Sequence, residues 1–467
     1  MRVPLMMPAK TVGDIAAILG ISPIKIGDPQ EKIKGIATDS REVVAGDLFV
    51  AIDGERQSGN SFVGEALSRG AVAILTASPP SAFAASYTVL CVDDVEAALL
   101  ALAARRRREA TARVIAVSGS TGKTTVKELI AAVLSTRGTV RKSEGNFNSG
   151  IGMSLSLIGM EDADHFVLEL GINHRGEMER LSRALAPDLA VLTNVGTAHV
   201  GHFADAGELL FEKMKITTGI KADGRLLLAD TVSRKGENAC RVECLTVGTG
   251  ELADFRVLHV KNSTEGIVAD VRWREGEIRE LSWHVPGSIG ASCIGIGAAV
   301  GALEGLSPSQ IRQGLLAAQR LAPRMRRLEI LGRTVIDDTY NASPEAMVGA
   351  LETLSYLRGT RPSAAVFGDI LELGAHATAL HDAVGECAAH SGISHFFTYG
   401  DHGTVMAGGA LRGGMPQASV HAFSFGDEEA LARRIIELVP RGGVILCKAS
   451  RRTALDRVIK ELENNEN

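Results

Sequence analysis

The stretch Gly119-Ser-Thr-Gly-Lys-Thr-Thr125 gathers two glycines, one amine and a run of hydroxyls in one short segment. It follows an apolar, β-branched run, Arg113-Val-Ile-Ala-Val-Ser118, and leads into an amphipathic stretch from Val126 to Leu134. That order reads as strand, glycine-rich turn, helix. Backbone N–H groups in such a turn face inward and wrap a polyphosphate, and the helix start adds a partial positive charge. Lys123 is placed to reach the β- and γ-phosphates, and Thr124 to offer its hydroxyl to Mg²⁺. Gly119, Thr121, Gly122 and Thr125 complete the nucleotide-binding turn. The usual spacing is G-x-x-x-x-G-K-[ST], but Val117 stands where its first glycine belongs, so the turn is a shortened variant.

Further polar residues fall just past apolar runs, and ligands bind at those carboxyl ends in open α/β sheets. Asn146 and Asn148 lie in a loop, Gly145-Asn-Phe-Asn148, beyond the phosphate-loop helix. His165-Phe-Val-Leu-Glu-Leu170 reads as a buried strand with Glu169 near its end. A buried carboxylate is costly without a partner, and beside a phosphate loop the fitting partner is Mg²⁺. The run Leu189 to Asn194 is another strand, followed by Val195-Gly-Thr-Ala-His199. An isolated histidine is usually structural; His199 gains weight from its place after a strand of the same sheet.

The elements that must position these residues divide into three units. Residues 1–111 read as a small α/β unit, with a helix from Thr11 to Leu19 and Thr11 as its N-cap. Strands follow at 33–38, 47–52 and 71–76, with a helix from Ser61 to Arg69. Asp39-Ser40-Arg41 sits between the first two strands. Arginine grips anionic groups and serine adds a hydroxyl, although surface turns carry the same residues. Residues 112–320 hold the phosphate loop and alternate strand and helix, the pattern of a mostly parallel sheet. Residues 321–467 form a third unit, entered through Pro323, Arg324, Arg326 and Arg327. Its strands at 333–337, 363–367 and 443–447 each end in polar residues: Asp338 to Pro344, Gly368 to Glu372, and Lys448 to Arg451. No G-x-G-x-x-G follows a strand there, so a dinucleotide fingerprint is absent.

Composition narrows the function classes. With 467 residues, 45% hydrophobic and 22% charged, the chain has ample material for several cores. A net charge of −5 gives no reason to expect nucleic acid. The basic run Arg105-Arg-Arg-Arg108 ends an alanine-rich helical stretch and reads as a solvated helix end. Six scattered cysteines include Cys240 and Cys244, but no second pair or histidine stands at zinc spacing. Free thiols in a reducing compartment are expected. Met1 to Lys10 is too short and proline-broken for a signal peptide. Val285 to Leu303 carries no charge, but its glycines and serines favour a buried helix over a membrane span.

Taken together, these segments resemble the Mur ligase family, over roughly Thr38 to Ile459. The motifs are Asp39-Ser-Arg41 with Gly46-Asp-Leu-Phe-Val-Ala51, the phosphate loop, Gly145-Asn-Phe-Asn148, Glu169-Leu-Gly171, and Asn194 with His199. Asp337-Asp-Thr-Tyr-Asn-Ala342 and Gly368-Asp369 with Glu372-Leu-Gly374 complete the set. The resemblance implies an α/β protein of three domains. The central one is a mostly parallel P-loop domain. A small N-terminal domain takes the UDP sugar, and a Rossmann-like C-terminal domain closes over the acceptor. It implies an ATP-dependent, ADP-forming ligase that makes an amide bond through an acyl phosphate, joining D-alanyl-D-alanine to a UDP-linked muropeptide for peptidoglycan. It also implies a cytoplasmic monomer without nucleic-acid or membrane partners.

Residue by residue, the resemblance assigns Ser40 and Arg41 to the UDP moiety. Glu169 and His199 serve two magnesium ions. A carbamylated lysine supports the second ion and matches Lys213, with Lys215 close enough to leave the choice open. Asp338 and Asn341 belong to a region reaching the ATP ribose and the acceptor. A junction arginine, Arg327 or Arg326, reaches the phosphates on closure.

Some positions depart from the family pattern. In Gly287-Ser-Ile-Gly-Ala-Ser-Cys293, Gly290 and Cys293 stand where two asparagines approach the adenine. Lys215 replaces a glutamate. Asn341-Ala-Ser-Pro344 and Ala449-Ser-Arg451 vary an Asn-Ala-Asn-Pro and a Gly-Ser-Arg. A paralogue joining another carboxylate and amine, and a non-catalytic nucleotide-binding protein, stay open beside the cell-wall ligase.

Overall fold

The computed structural model describes residues 1–21, 28–54, 57–78, 87–145, 147–197, 200–232, 242–321 and 324–465, except the side chains of 320 and 321. Asn146, His199, Cys240 and Pro323 lie outside the described residues.

Three sheets carry the chain, as expected of a three-domain α/β protein. The first has five strands in sequential order: Arg2–Pro4, Gly35–Ala37, Asp47–Ala51, Ala73–Thr76 and Thr88–Cys91. Its first pair is antiparallel and the rest are parallel. The helix Val12–Leu19 starts at Thr11, whose hydroxyl accepts from the Asp14 N–H in a capping box.

The central sheet has nine strands. Arg113–Ser118 lies in its interior, between His165–Glu169 and Leu189–Leu192, and all three run parallel. Val140–Lys142 forms one edge, and Arg225–Ala229 and Glu243–Gly248 extend the parallel part on the other side. Phe255–Ser263, Gly266–Trp273 and Gly276–Trp283 finish it as an antiparallel meander. The helix Lys123–Leu134 buries Val126, Leu129, Ile130 and Val133, a spacing that lines one helix face. It packs against Gly287–Leu303 and Pro308–Leu321. The charge-free stretch after Val285 is thus a buried helix, and no helix among the described residues is long and apolar enough to cross a membrane.

The third sheet has six strands, ordered Arg326–Ile330, Arg333–Asp338, Val444–Lys448, Ser363–Gly368, His395–Tyr399 and Val420–Phe423. All but the first run parallel.

One expectation fails. Within the basic run, only Arg105 and Arg108 are exposed; Arg106 and Arg107 are buried at 3% and 4% exposure. Helix Val95–Glu109 lies against the central unit, where Arg107 donates to the carbonyls of Leu185 and Ala186 and to Asp188. Those carbonyls end the helix Glu177–Leu185 and need donors from elsewhere. Arg106 donates to the Met160 carbonyl and to Asp162. The run is a built joint rather than a solvated end.

Candidate active site

The phosphate loop connects Arg113–Ser118 to Lys123–Leu134, so it opens at the carboxyl end of an interior strand. Gly119 has φ +146°, and a Cβ there would lie 2.1 Å from the Thr193 hydroxyl. Only glycine fits. Gly122 is left-handed at φ +77° and begins the helix at Lys123. Asn194 braces the turn: its side-chain oxygen accepts from the N–H groups of Ser120 (3.1 Å) and Thr121 (2.8 Å), and its amide bonds the Thr121 hydroxyl. Thr125 follows within the first turn of the helix.

Lys123 Nζ donates to the carbonyls of Gly119 (3.0 Å) and Ser120 (3.4 Å). Burial lowers its pKa, the Glu169 charge opposes that, and the Arg324 charge adds to it. Glu169 is 1% exposed. It accepts from the Thr124 hydroxyl at 2.9 Å and the Asn148 amide at 2.8 Å. A second strut holds the Asn148 loop. Buried Lys127, on the phosphate-loop helix, donates to the carbonyls of Ser143 (2.7 Å) and Gly145 (2.8 Å).

Lys213 lies in helix Ala206–Met214, 1% exposed, with Nζ 3.3 Å from the Gly119 carbonyl. Burial, with the neighbouring Lys123 charge, pushes its pKa down to about 7. Lys215 is different: its amine pairs with Glu212 at 2.7 Å and lies over the Phe211 ring.

The third unit closes the other side. Buried Asp338 pairs with Lys448, which also donates to the Asn341 carbonyl at 3.0 Å. Arg324 lies over the Tyr340 ring, 3.9 Å from its centre, and Arg451 lies 4.8 Å from the same centre. Arg327 points elsewhere, donating to the carbonyls of Thr264 and His284; Arg326 pairs with Asp337. Arg324 is therefore the junction arginine whose charge bears on Lys123, although sequence reasoning named it only as a boundary marker. Sequence reasoning also passed over Lys127, because a lysine on an amphipathic helix reads as solvated.

The remaining assigned residues sit apart. Ser40 is buried and donates to Glu65 at 2.6 Å, whereas Arg41 is exposed and folds back on Asp39. At Gly290 a Cβ would lie 1.9 Å from the Val285 carbonyl, so no side chain fits there in this packing. Cys293 is buried, its thiol pushed up to about 12. Among the described residues, Asp369, His381 and His402 lie close enough to hold a metal ion. Two of the three are already engaged: His381 Nε2 accepts from the Ile370 N–H, and Asp369 accepts from the N–H groups of Asp401 and His402.

Comparison with known proteins places this geometry. A model of the Mur ligase middle domain matches residues 117–300, the Mur ligase glutamate ligase domain matches 324–451, and the Mur ligase family catalytic domain matches 32–116. The chain is 33% identical to UDP-N-acetylmuramoyl-tripeptide–D-alanyl-D-alanine ligase of Bacillus subtilis, over 98% of this chain and 99% of that one. It is 29% identical to the ligase of the same name from Escherichia coli, over 93% and 94%. The structure of MurF from Acinetobacter baumannii matches with a TM-score of 0.88 at 26% identity, covering 98% of this chain and 100% of that one. MurF of Thermotoga maritima in complex with ADP matches with a TM-score of 0.78 at 25% identity, covering 94% and 99%. The phosphate loop, its adjoining buried carboxylate and a buried lysine are thus set in a chain that belongs to the Mur ligase family.

Proposed function

We propose that this chain is an ATP-dependent, ADP-forming ligase that adds D-alanyl-D-alanine to UDP-N-acetylmuramoyl-tripeptide in peptidoglycan synthesis. The observation that carries the reading is similarity along nearly the whole chain to ligases of that name. The convergence of Lys123, Thr124, Glu169 and Lys213 on one phosphate loop supports it.

The donor set fits a hard divalent cation. Among the described residues Glu169, 1% exposed, is hydrogen-bonded by a hydroxyl and an amide, neither of which carries a charge, so a cation suits it. Thr124 and Glu169 would hold Mg²⁺, with His199 and a carbamylated Lys213 at a second ion. Bound there, the metal would neutralise phosphate charge. The amine of Lys213 suits carbamylation, because burial favours its neutral, nucleophilic form. Lys215 is held by Glu212 and is the poorer candidate.

In this reading the N–H groups of Gly119 to Thr125 wrap the phosphates and Asn194 keeps the turn in shape. Lys123 releases its carbonyl partners to meet the γ-phosphate, and Arg324 adds a second positive charge. These charges let an anionic carboxylate approach an anionic phosphate and draw charge off the acyl phosphate as it forms. Asn146 and Asn148 flank the phosphates, while Asp338 and Asn341 face the ribose and acceptor. Ser40 and Arg41 read the UDP group. We assign 1–111 to the UDP sugar, 112–320 to ATP and 321–467 to the acceptor, and infer a cytoplasmic monomer.

Phosphate release from ATP tests the reading. Release that needs both UDP-N-acetylmuramoyl-tripeptide and D-alanyl-D-alanine, with a pentapeptide product by mass, is expected. Absence of release with both substrates present, from protein that binds Mg-ATP, sinks it.

A further inference from the structure

One carboxylate in the cleft between the second and third units has no part in the site described so far. Glu345 stands in the first turn of helix Pro344–Arg358. Its Oε1 accepts from the Thr197 N–H at 2.5 Å and the Thr197 hydroxyl at 2.8 Å. Thr197 belongs to the loop that begins at Asn194. The next residue back, Gly196, donates its N–H to the Ser120 hydroxyl at 2.9 Å. Glu345 is thereby tied to the phosphate loop through one short segment. The approach is close: a Cβ at Gly196 would lie 2.3 Å from Glu345 Cδ. Yet Glu345 Oε2 is buried and has no hydrogen-bond partner among the described residues. A buried carboxylate oxygen without a donor is costly, so Oε2 is open to a donor brought by a ligand.

The other end of the same loop carries the opposite charge. Tyr340 and Glu345 bracket Asn341 to Pro344, and the guanidiniums of Arg324 and Arg451 both lie over the Tyr340 ring. Neither is hydrogen-bonded to a carboxylate among the described residues. One carboxylate oxygen without a donor at Glu345 and two guanidiniums over the Tyr340 ring, at the two ends of one loop, complement a ligand with an ammonium group at one end and an anion at the other.

We propose that Glu345 is a catalytic residue that receives the acceptor's ammonium group on Oε2 and takes one of its protons. The inference rests on the amide-forming reading above. The nitrogen lone pair freed by that transfer forms the new C–N bond at the acyl phosphate carbonyl. The C–O bond to phosphate breaks, its electron pair leaves with the phosphate, and the second proton lost from nitrogen goes to that phosphate. Gly196 and Glu345 belong to different units, so the contact covering Oε2 opens when the units part, and the amine enters there.

The test separates the two halves of the reaction in the full-length protein with Glu345→Gln and Glu345→Asp. Acyl phosphate is made from ATP and UDP-N-acetylmuramoyl-tripeptide and trapped with hydroxylamine, an amine already neutral at neutral pH. Hydroxamate formation by both variants is expected to stay within about 2-fold of wild type, since no ammonium proton needs removal. With D-alanyl-D-alanine, Glu345→Gln is expected to lose roughly 10²-fold in kcat/KM, and Glu345→Asp less. Parallel loss of hydroxamate and pentapeptide product overturns the proposal and makes Glu345 a joint only. Wild-type rates with the dipeptide overturn it too. If wild type forms hydroxamate but no product with D-alanyl-D-alanine, the substrate reading falls and the Glu345 assignment falls with it.

Discussion

Thr124 donates its hydroxyl to Glu169 across 2.9 Å, joining the start of the phosphate-loop helix to the end of the neighbouring strand. Glu169→Gln keeps that shape and removes the charge. Turnover is expected to fall by about 10²-fold or more, with a higher Mg²⁺ concentration needed for half-maximal rate. The folded state should hold, because a buried charge is removed without opening a cavity. Titration of the rate with Mg²⁺ checks this; an unchanged curve takes Glu169 out of the site.

Lys123→Ala is expected to abolish turnover with little change in thermal midpoint. Among the described residues its amine is hydrogen-bonded to two carbonyls of its own loop, so its main work is on phosphate charge. Near-normal activity would end the phosphate-loop reading.

Two lysines can be told apart by rescue. Lys213→Ala is expected to be inactive and to recover in part with a short-chain carboxylate in the buffer, which replaces the anion of a carbamate. Lys215→Ala is expected to remain active. Rescue of the second variant instead would exchange their roles.

The buried joint at Arg107 gives a stability prediction. Arg107→Met leaves Asp188 with Lys221 as its remaining cation and strips two helix-ending carbonyls of their donor. A loss of about 3 kcal/mol by denaturant unfolding is expected, against less than about 0.5 kcal/mol for exposed Arg105→Ala. Equal small losses would return the run to solvent.

His284 supplies a pH dependence. Burial, with the nearby Arg327 charge, lowers its pKa from 6.5 to about 4. Between those values the unfolded chain binds the proton and the folded chain does not, so stability is lost as pH falls from about 6.5 to about 4. Discounted for its partial exposure, the loss is on the order of 2 kcal/mol. His284→Gln should flatten that part of an unfolding-against-pH curve, and an unaltered slope would remove His284 as its cause.

Much of this was legible in the chain. Arg113 to Ser118 is a strand with the bounds its β-branched run suggests, and the phosphate loop follows it as expected. Thr11 caps its helix. What stayed hidden depends on partners distant in sequence. Arg106 and Arg107 read as solvated because the carbonyls they meet belong to residues 160, 185 and 186. Lys213 and Lys215 were inseparable in a string of letters, but two positions apart on a helix they face different ways. One meets the phosphate loop and the other the buried Glu212. Glu345 looked like an ordinary helix start until Thr197 was placed against it.

The helix that ends in Arg106 and Arg107 spans 15 residues, about 22 Å, from the first sheet toward the central one. A single apolar cluster runs from Ile36 and Leu48 through Leu99 and Leu102 to Phe166 and Leu168. Two guanidiniums pin its end. The first two units therefore share one core, like the two jaws of a caliper. With uridine read at one jaw and phosphate transferred at the other, as proposed, a carboxylate reacts only if its peptide is long enough to bridge the gap and short enough not to buckle. Peptide length is then measured by the spacing of the jaws, without any residue having to recognise each amino acid in turn.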